Sequence, residues 1–341
     1  MKVFLLLFLA LATVGGHALA EGASLPTAPL KVALILGGRV NDPGYYHAGY
    51  EALLAVKEKY HAETVYQENL SPVAAEEVLR ELGEDGFAYV IVMGGGTYDD
   101  AIRQVAADYP AMKFVIVSGA FTQLPNVVSI RTGHPGVAFL AGVLMAEMSS
   151  SQKLGLIGGR ASPPAIADHV AVIAGARYAN PQIKILDAYT ESYDDPALAK
   201  EAALAQIEQG VDLIYANANT SSFGVFEAAR ERGVFVVGAA TDQNEIAPNT
   251  ILTSVVYGTD RAVLHLIDLD RSGQGWENKI YTMDLAQLDI APFHSLDGKV
   301  SAADRQRLAE VRQQIIAGQI HVPTSYAEIN LPSPGHTAKS P

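Results

Sequence analysis

The chain has 341 residues, 49% of them apolar, and it contains no cysteine, so a large core must form without any disulfide. A formal net charge of −13 argues against binding to nucleic acid or to an anionic membrane surface through the general electrostatic field. Because single hydrophobic cores stop growing at roughly 250–300 residues, the length predicts two domains.

The first 20 residues are typical of a secretory signal peptide. A lysine precedes a short apolar run at 3–14, and the segment ends in Ala-Leu-Ala, the small-residue pattern of a cleavage site. A membrane anchor is the alternative, but the run is shorter than the roughly 20 apolar residues that a spanning helix needs. Cleavage after Ala20 leaves no cysteine for lipid attachment, so we expect a soluble, exported protein.

Short apolar runs then alternate with longer helical patterns. The predicted strands are 31–36, 64–67, 89–93, 113–117, 127–130, 153–157, 184–189, 213–216, 235–237 and 251–255. The predicted helices are 45–60, 72–82, 98–109, 137–148, 166–180, 197–209, 223–232 and 302–317. Near-continuous apolar strands that alternate with helices predict parallel sheets with helices on both faces.

Ten strands are too many for one ordinary sheet, and the stretch "IRTGHPG" at 130–136 interrupts their series. We interpret it as a crossing between two lobes. At the other end of the chain, the segment 329–341 is rich in Pro and Ser with little apolar surface, so we expect a disordered tail.

Loops of small and polar residues follow five of the predicted strands. They occupy 37–47, 94–101, 158–165, 217–224 and 238–245. Glycine at a single strand end is usually a packing device. Ligands of open α/β sheets, however, bind beyond the carboxyl ends of the strands, so five such loops predict a binding cleft.

The first of these loops, "GGRVNDPGYYH", raises a question about its two tyrosines. Gly, Asn, Asp and Pro explain how the chain turns. Asn41 and Asp42 either bind a ligand or form an Asx turn. The turn does not explain Tyr45 and Tyr46, which place two amphipathic rings after a strand.

Five stretches spread along the chain carry a family resemblance. They are "GGRVNDPGYYHAGYEAL", "AADYPAMKFVIVSG", "FLAGVLMAEMSSSQKLGLIGGR", "GVFEAARERG" and "IIAGQIHVP". They resemble the basic membrane protein (BMP) family of ABC-transporter substrate-binding proteins, whose characterised relatives deliver purine nucleosides and related heterocycles to importers. In order and spacing the resemblance covers residues 31–323, nearly the whole mature chain.

The resemblance implies an α/β type I periplasmic-binding-protein fold, with two doubly wound parallel-sheet lobes, an interlobe cleft and a crossover hinge. The implied lobes are 31–131 plus 258–282 and 132–257 plus 283–325, with hinges near Gly133 and Gly258. It also implies a periplasmic, monomeric protein that binds a small heterocyclic ligand and delivers it to an ABC permease and ATPase complex. The acidic charge, as noted, predicts no nucleic-acid partner.

Two aromatic rings are expected to clamp the ligand. Tyr45 and Tyr193 stand where the family places rings on opposite lobes, and each stacked face would contribute roughly 1–3 kcal/mol. The alternative is that both tyrosines pack into their own lobes with their hydroxyls hydrogen-bonded. Tyr46 lies next to this clamp and is a further candidate.

Other candidates come from the strand-end loops. Asp100 aligns with a family acid that holds ring nitrogens, and Asp99 is expected to cap the following helix, although the two could exchange roles. Asn217 and Asn219 carry donors and acceptors that suit the edge of a heterocycle, or they form turns.

The chain departs from the family after its ninth and tenth strands. An acid that grips ribose hydroxyls in relatives is Ala240 here, and a ribose-binding lysine is Tyr257. Unpaired sugar hydroxyls would cost roughly 1–3 kcal/mol each, so the sequence predicts a preference for a free nucleobase. A nucleoside is the alternative if Asp242 replaces the missing acid.

No catalytic or cofactor motif accompanies the cleft. The chain has no His-x-x-x-His, no Gly-x-Ser-x-Gly and no dinucleotide fingerprint. We therefore predict a binding protein with no cofactor and no metal rather than an enzyme. Two alternatives stay open: a nucleoside hydrolase with Asp42, Asp99 and Asp100 on a metal, and a receptor that signals to a membrane sensor.

Overall fold

A computed structural model describes residues 29–332, so the predicted signal peptide lies outside the described residues. The strands are β1 Lys31–Leu36, β2 Glu63–Gln67, β3 Tyr89–Met93, β4 Lys113–Val117, β5 Val127–Arg131, β6 Lys153–Gly158, β7 Lys184–Tyr189, β8 Leu213–Asn217, β9 Phe235–Ala240, β10 Ile251–Val256 and β11 Tyr281–Thr282. The helices are α1 Tyr45–Tyr60, α2 Ala75–Glu84, α3 Asp99–Asp108, α4 Pro135–Met148, α5 Pro163–Ala179, α6 Pro196–Glu208, α7 Ser222–Arg232, α8 Thr259–Arg271 and α9 Ala302–Ile316.

The strands form two parallel sheets. One has six strands in the order β11-β5-β4-β3-β1-β2, and the other has five in the order β10-β9-β8-β6-β7. We call the first sheet with its helices the N-terminal lobe and the second the C-terminal lobe. The predicted α/β class with two parallel sheets is confirmed. The pattern of apolar residues did not predict α8 and β11, the two elements by which the chain returns to the first sheet.

The C-terminal lobe is built on a helix pair, α4 and α5, whose close approach requires glycine. A Cβ at Gly142 on α4 would lie 2.1 Å from the Val172 carbonyl oxygen, and one at Gly175 on α5 would lie 2.0 Å from that of Phe139. Residues 136–146 of α4 are all buried. This helix is apolar on every side because neighbours cover it all round.

The chain passes between the sheets after β5, after β10 and after β11. Two of these crossings touch, because the Gly133 N–H donates to the Tyr257 carbonyl oxygen at 2.7 Å. Gly133 and Gly258 both have left-handed backbones, with φ of 72° and 64°. These values favour glycine, which reaches them without the steric cost of a side chain.

The segment from residue 329 onward was expected to be disordered. Its first residues belong to the fold, since Ile329 and Leu331 are partly buried against the larger core cluster. The Leu331 N–H also donates to the Tyr326 carbonyl at 3.0 Å. Residues 333–341 lie outside the described residues.

Candidate functional site

The carboxyl ends of the two sheets face each other, and the loop between β1 and α1 bridges them. The Pro43 carbonyl accepts a hydrogen bond from Thr241 Oγ1 at 3.2 Å and another from the Gln243 side-chain amide. The Tyr45 N–H donates to Asn219 Oδ1 at 3.4 Å. Because Pro43 and Tyr45 follow β1 whereas their partners follow β8 and β9, the lobes are in contact at this point.

Asp42 holds the bridging loop in shape. Its Oδ1 accepts from the N–H groups of Gly44 at 3.0 Å and His47 at 3.1 Å, which is an Asx-type turn, one of the two alternatives that the sequence left open. Its Oδ2 is buried without a hydrogen-bond partner among the described residues. Burial raises the pKa of this carboxyl. Neighbouring Asn41 is exposed on the outside of the turn.

Tyr45 and Tyr46 form a pair on the N-terminal side of the cleft. The Tyr45 hydroxyl donates to the Val117 carbonyl at the end of β4 over 2.9 Å, so this ring lies across the sheet's carboxyl edge. The two rings meet edge to face, with centroids 5.4 Å apart. The Tyr46 ring lies over Gly38, where a Cβ would be only 2.2 Å from Cε2.

Tyr193 occupies the matching place on the C-terminal side. Its ring covers Gly159, where a Cβ would lie 2.2 Å from Cδ1, and its hydroxyl donates to the Arg160 carbonyl at 3.3 Å. Burial raises the pKa of Tyr46, and the Asp42 carboxylate adds to that rise, followed by Asp194 and Tyr193 of the opposite lobe. Tyr46 and Tyr193 cover corresponding glycines on the two lobes.

The two acids after β3 lie in different environments. Asp99 is the first residue of α3, its Oδ1 is buried without a partner among the described residues, and burial raises its pKa. Asp100 is exposed. The N-cap of α3 is Tyr98, which makes no side-chain capping bond. The structure thus gives the buried position to Asp99, not to Asp100.

A polar cluster on the C-terminal side includes an acid that the sequence reasoning missed. Asp168, on α5, accepts through Oδ2 from the Tyr257 hydroxyl at 2.7 Å and from Asn217 Nδ2 at 3.2 Å. Burial raises the pKa of Asp168 to about 6, although both hydrogen bonds oppose the rise. Asp168 lies within α5, just past the loop at 158–165, so the motif of small and polar residues in that loop did not include it.

Ala240 and Asp242 end up on opposite sides of the same turn. Ala240 is buried with φ at 76°, and its carbonyl accepts from the Tyr257 N–H at 3.0 Å. Asp242 is exposed; one oxygen lies 2.6 Å from His294 Nε2 and the other accepts from the Asn244 N–H at 3.2 Å. Asp242 would have to break both bonds to reach the cleft.

The acids do not assemble into a metal site. Within residues 29–332, no group of three or more His, Asp or Glu side chains is placed to hold a metal ion. The three carboxylates considered for a hydrolase, Asp42, Asp99 and Asp100, are thus not brought together. No helix in the same range is long and apolar enough to cross a membrane.

Two parallel-sheet lobes with binding loops at facing carboxyl edges define a periplasmic-binding-protein type of solute receptor. Residues 30–326 match the family described as ABC transporter substrate-binding protein, PnrA-like, and the chain belongs to this family. The resemblance to basic membrane proteins is therefore confirmed. The family consists of solute-binding proteins of ABC transporters rather than enzymes, and membership implies a solute ligand and a transporter complex.

Curated relatives carry two kinds of name. Basic membrane protein B of Borreliella afzelii is 29% identical over 316 residues, covering 89% of this chain and 90% of the relative. The transcriptional activator protein med of Bacillus subtilis is 29% identical over 286 residues, covering 82% and 87%.

Solved structures confirm the fold. A solute-binding protein of an ABC transporter system from Aeropyrum pernix K1 superposes with a TM-score of 0.74 at 23% identity, covering 89% of this chain and 96% of the other. A glucose-galactose binding protein from Geobacillus stearothermophilus gives 0.53 at 15% identity, covering 77% and 96%. The type I periplasmic-binding-protein fold is thus shared well beyond the family.

Proposed function

We propose that this protein is the periplasmic, monomeric receptor of an ABC importer and that it captures a small planar heterocycle, a purine nucleobase, between its lobes. The lobes are 31–131 plus 258–282 and 132–257 plus 283–325, and they close about the crossings near Gly133 and Gly258. The receptor hands its ligand to the permease and ATPase complex and needs no cofactor.

The observation that carries this proposal is the set of rings on both sides of the cleft. Tyr45 lies across the carboxyl edge of the N-terminal sheet, held by its bond to the Val117 carbonyl. Tyr193 comes from the opposite lobe and rests on a glycine. Rings fixed in this way present flat faces, and a planar heterocycle gains stacking energy from each face.

The preference for a base over a nucleoside rests on the C-terminal side. The Tyr257 hydroxyl is committed to Asp168 and the Asp242 carboxylate to His294. Ala240 offers only a methyl group and its backbone. A ribose placed here would therefore lack the acid at position 240 and the lysine at position 257 that the family resemblance assigns to its hydroxyls, and a base does not need either group.

Calorimetry of the mature protein with adenine, guanine, adenosine and guanosine tests the proposal. We expect the bases to bind more tightly than their nucleosides. Nucleosides that bind about tenfold tighter than the bases, a difference of about 1.4 kcal/mol, would overturn the preference. Mass spectrometry of small molecules released by denaturing the freshly purified protein identifies the ligand independently.

A second candidate function is signalling, in which ligand occupancy is passed to a regulatory partner instead of a permease. The observation that favours it is the relative named transcriptional activator protein med, together with a solved transcriptional activator of the comK gene from Bacillus halodurans at a TM-score of 0.73 and 22% identity. Deletion of the gene distinguishes the two: loss of radiolabelled adenine uptake supports transport, whereas normal uptake with altered transcription supports signalling.

A further inference from the structure

Asp168 has an asymmetric environment. Both of its hydrogen-bond donors, the Tyr257 hydroxyl and Asn217 Nδ2, approach the same oxygen, Oδ2. No hydrogen bond from the residues of the described range reaches Oδ1, and no lysine or arginine among them pairs with this carboxylate. One oxygen of a half-buried acid is thus left without a donor.

The surrounding polar groups cannot supply that donor in their present positions. The Tyr215 hydroxyl lies beside Asp168 and lowers the pKa of this acid as a side-chain hydrogen-bond donor, but within the described part of the chain it is not within bonding geometry of either carboxylate oxygen. His169 is fully buried, and its Nδ1 lies 2.7 Å from Asp187 Oδ1. Its Nε2 has no hydrogen-bond partner among the described residues, so it does not donate to Asp168.

Asp168 also lies at the cleft, not behind it. Its two partners stand at the carboxyl edge of the C-terminal sheet, Asn217 as the last residue of β8 and Tyr257 directly after β10. The loop that follows β8 also carries Asn219, whose Oδ1 accepts from the Tyr45 N–H of the opposite lobe at 3.4 Å. Asp168 therefore lies at the carboxyl edge that meets the N-terminal lobe.

A carboxylate oxygen that accepts no hydrogen bond from the protein is free to accept one from the N–H group of a bound ligand. A free purine base has an imidazole N–H that its nucleoside lacks, because the same nitrogen forms the glycosidic bond. A hydrogen bond to a charged acceptor is among the stronger ones in proteins. Asp168 is thus suited to distinguish the two ligands.

We propose that Asp168 is the specificity-determining acid of the cleft and that its Oδ1 accepts the ring N–H of a free nucleobase, with Tyr257 and Asn217 as the positioning residues. The inference rests on the proposed function and deepens it, because it names the atom that selects a base over a nucleoside. It also gives a role to the acid beside Tyr257 in a chain whose residue 240 is alanine instead of the family's acid.

The test compares adenine with 9-methyladenine, which lacks the imidazole N–H, by calorimetry on the wild type and on Asp168→Ala and Asp168→Asn. We expect the wild type to prefer adenine by about tenfold or more, the loss that follows when a charged acceptor is left unpaired. Asp168→Ala should reduce the preference to within about threefold, since it removes the acceptor and makes room for the methyl group. Asp168→Asn keeps the shape, but its amide oxygen accepts from Tyr257 and Asn217 and its NH2 group then faces the ligand N–H, so it should also reduce the preference to within about threefold.

Asp194→Ala is the matched control, because it removes an exposed acid from the same rim and should keep the wild-type ratio. If adenine binds and Asp168→Ala keeps the wild-type ratio, the inference is wrong while the proposed function stands. If adenine does not bind the wild type at all, both are wrong. Asp168→Asn, which preserves an acceptor for Tyr257 and Asn217, decides the matter should Asp168→Ala not fold.

Discussion

The two lobes have the same scaffold but offer a ligand different surfaces. Strands β5-β4-β3-β1-β2 of one sheet and β10-β9-β8-β6-β7 of the other follow the same order. The first strand of each lobe leads into Gly-Gly-Arg, at 37–39 and 158–160, and a tyrosine ring covers the second glycine in both. On this common edge the N-terminal lobe adds a second ring, Tyr45, whereas the C-terminal lobe adds the carboxylate of Asp168.

This difference indicates a division of roles, in which the N-terminal lobe supplies more of the stacking and the C-terminal lobe supplies the hydrogen-bond recognition. The N-terminal rings are fixed by backbone groups, such as the Val117 carbonyl under Tyr45. On the C-terminal side the carboxylate of Asp168 is fixed by two other side chains, those of Tyr257 and Asn217. Mutations on the first side should therefore weaken binding of any planar ligand, and those on the second should change which ligand is preferred.

The largest effect is expected from the rings. Tyr45→Ala and Tyr193→Ala should each weaken adenine binding by on the order of 1–3 kcal/mol, because each removes one stacking face. Calorimetry measures the loss, and thermal unfolding shows whether the fold persists. Tyr66→Ala is the control, since that ring is 48% exposed and lies on β2, outside the cleft. A variant that loses several degrees of thermal stability but keeps its affinity would assign that tyrosine to the core.

A glycine at the first crossing should have the next largest effect. The alanine in Gly133→Ala must adopt φ of 72° and place its Cβ 3.0 Å from Tyr257 Cδ1. The free energy of unfolding of this variant should therefore fall by about 1–2 kcal/mol, and its adenine binding should also be weaker. Gly273→Ala has the same backbone cost, at φ of 79°, but no atom lies within 4 Å. Equal adenine affinities for the two variants would show that the crossing does not support the C-terminal surface.

The contact between the lobes offers a third test. Gln243→Glu removes the donor to the Pro43 carbonyl and leaves an acceptor for the Ala239 N–H, so closure should be weakened by about 1 kcal/mol. Solution scattering should show a larger radius of gyration for this variant without ligand, and adenine should reduce the radius of the wild type. Thr241→Val, which removes the longer bond, should have a smaller effect. An unchanged radius on adding adenine to the wild type would argue against hinge closure.

The smallest effect concerns stability and pH. Burial raises the pKa of Asp168 to about 6, above the unfolded value of about 3.9, so the folded state binds this proton more tightly. The stabilising contribution of the protonated form is then present below about pH 4 and is lost as the pH rises through about 6.

Asp168→Asn should therefore unfold at a temperature on the order of 2 °C above that of the ligand-free wild type at pH 7.5, and the gap should close near pH 4. Scanning calorimetry at both pH values measures it. A variant that is less stable than the wild type at pH 7.5 would show that Asp168 is a structural residue of the C-terminal lobe.

Hydrophobic patterning identified most elements because it records burial directly. Strands β1, β3, β4 and β7 and helix α1 begin and end where the sequence predicts. The prediction ended β9 at residue 237, but the strand continues to Ala240, since small residues such as Gly238 carry little strand signal. Helix α8 was missed because it carries polar residues between its buried ones, Thr259, Ala262, Val263, Leu266 and Ile267.

The sequence by itself determined the two-sheet α/β architecture, the crossing at Gly133 and the loops that form the cleft, because these follow from local patterns of apolar residues and glycine. Only the tertiary structure decided which polar atoms meet there. Asp168 and Tyr257 are 89 residues apart, too far to belong to one local motif. Asp242 is exposed and pairs with His294, which also lies far from it in the sequence. Such pairings depend on how distant elements pack, and no short stretch of sequence carries that information.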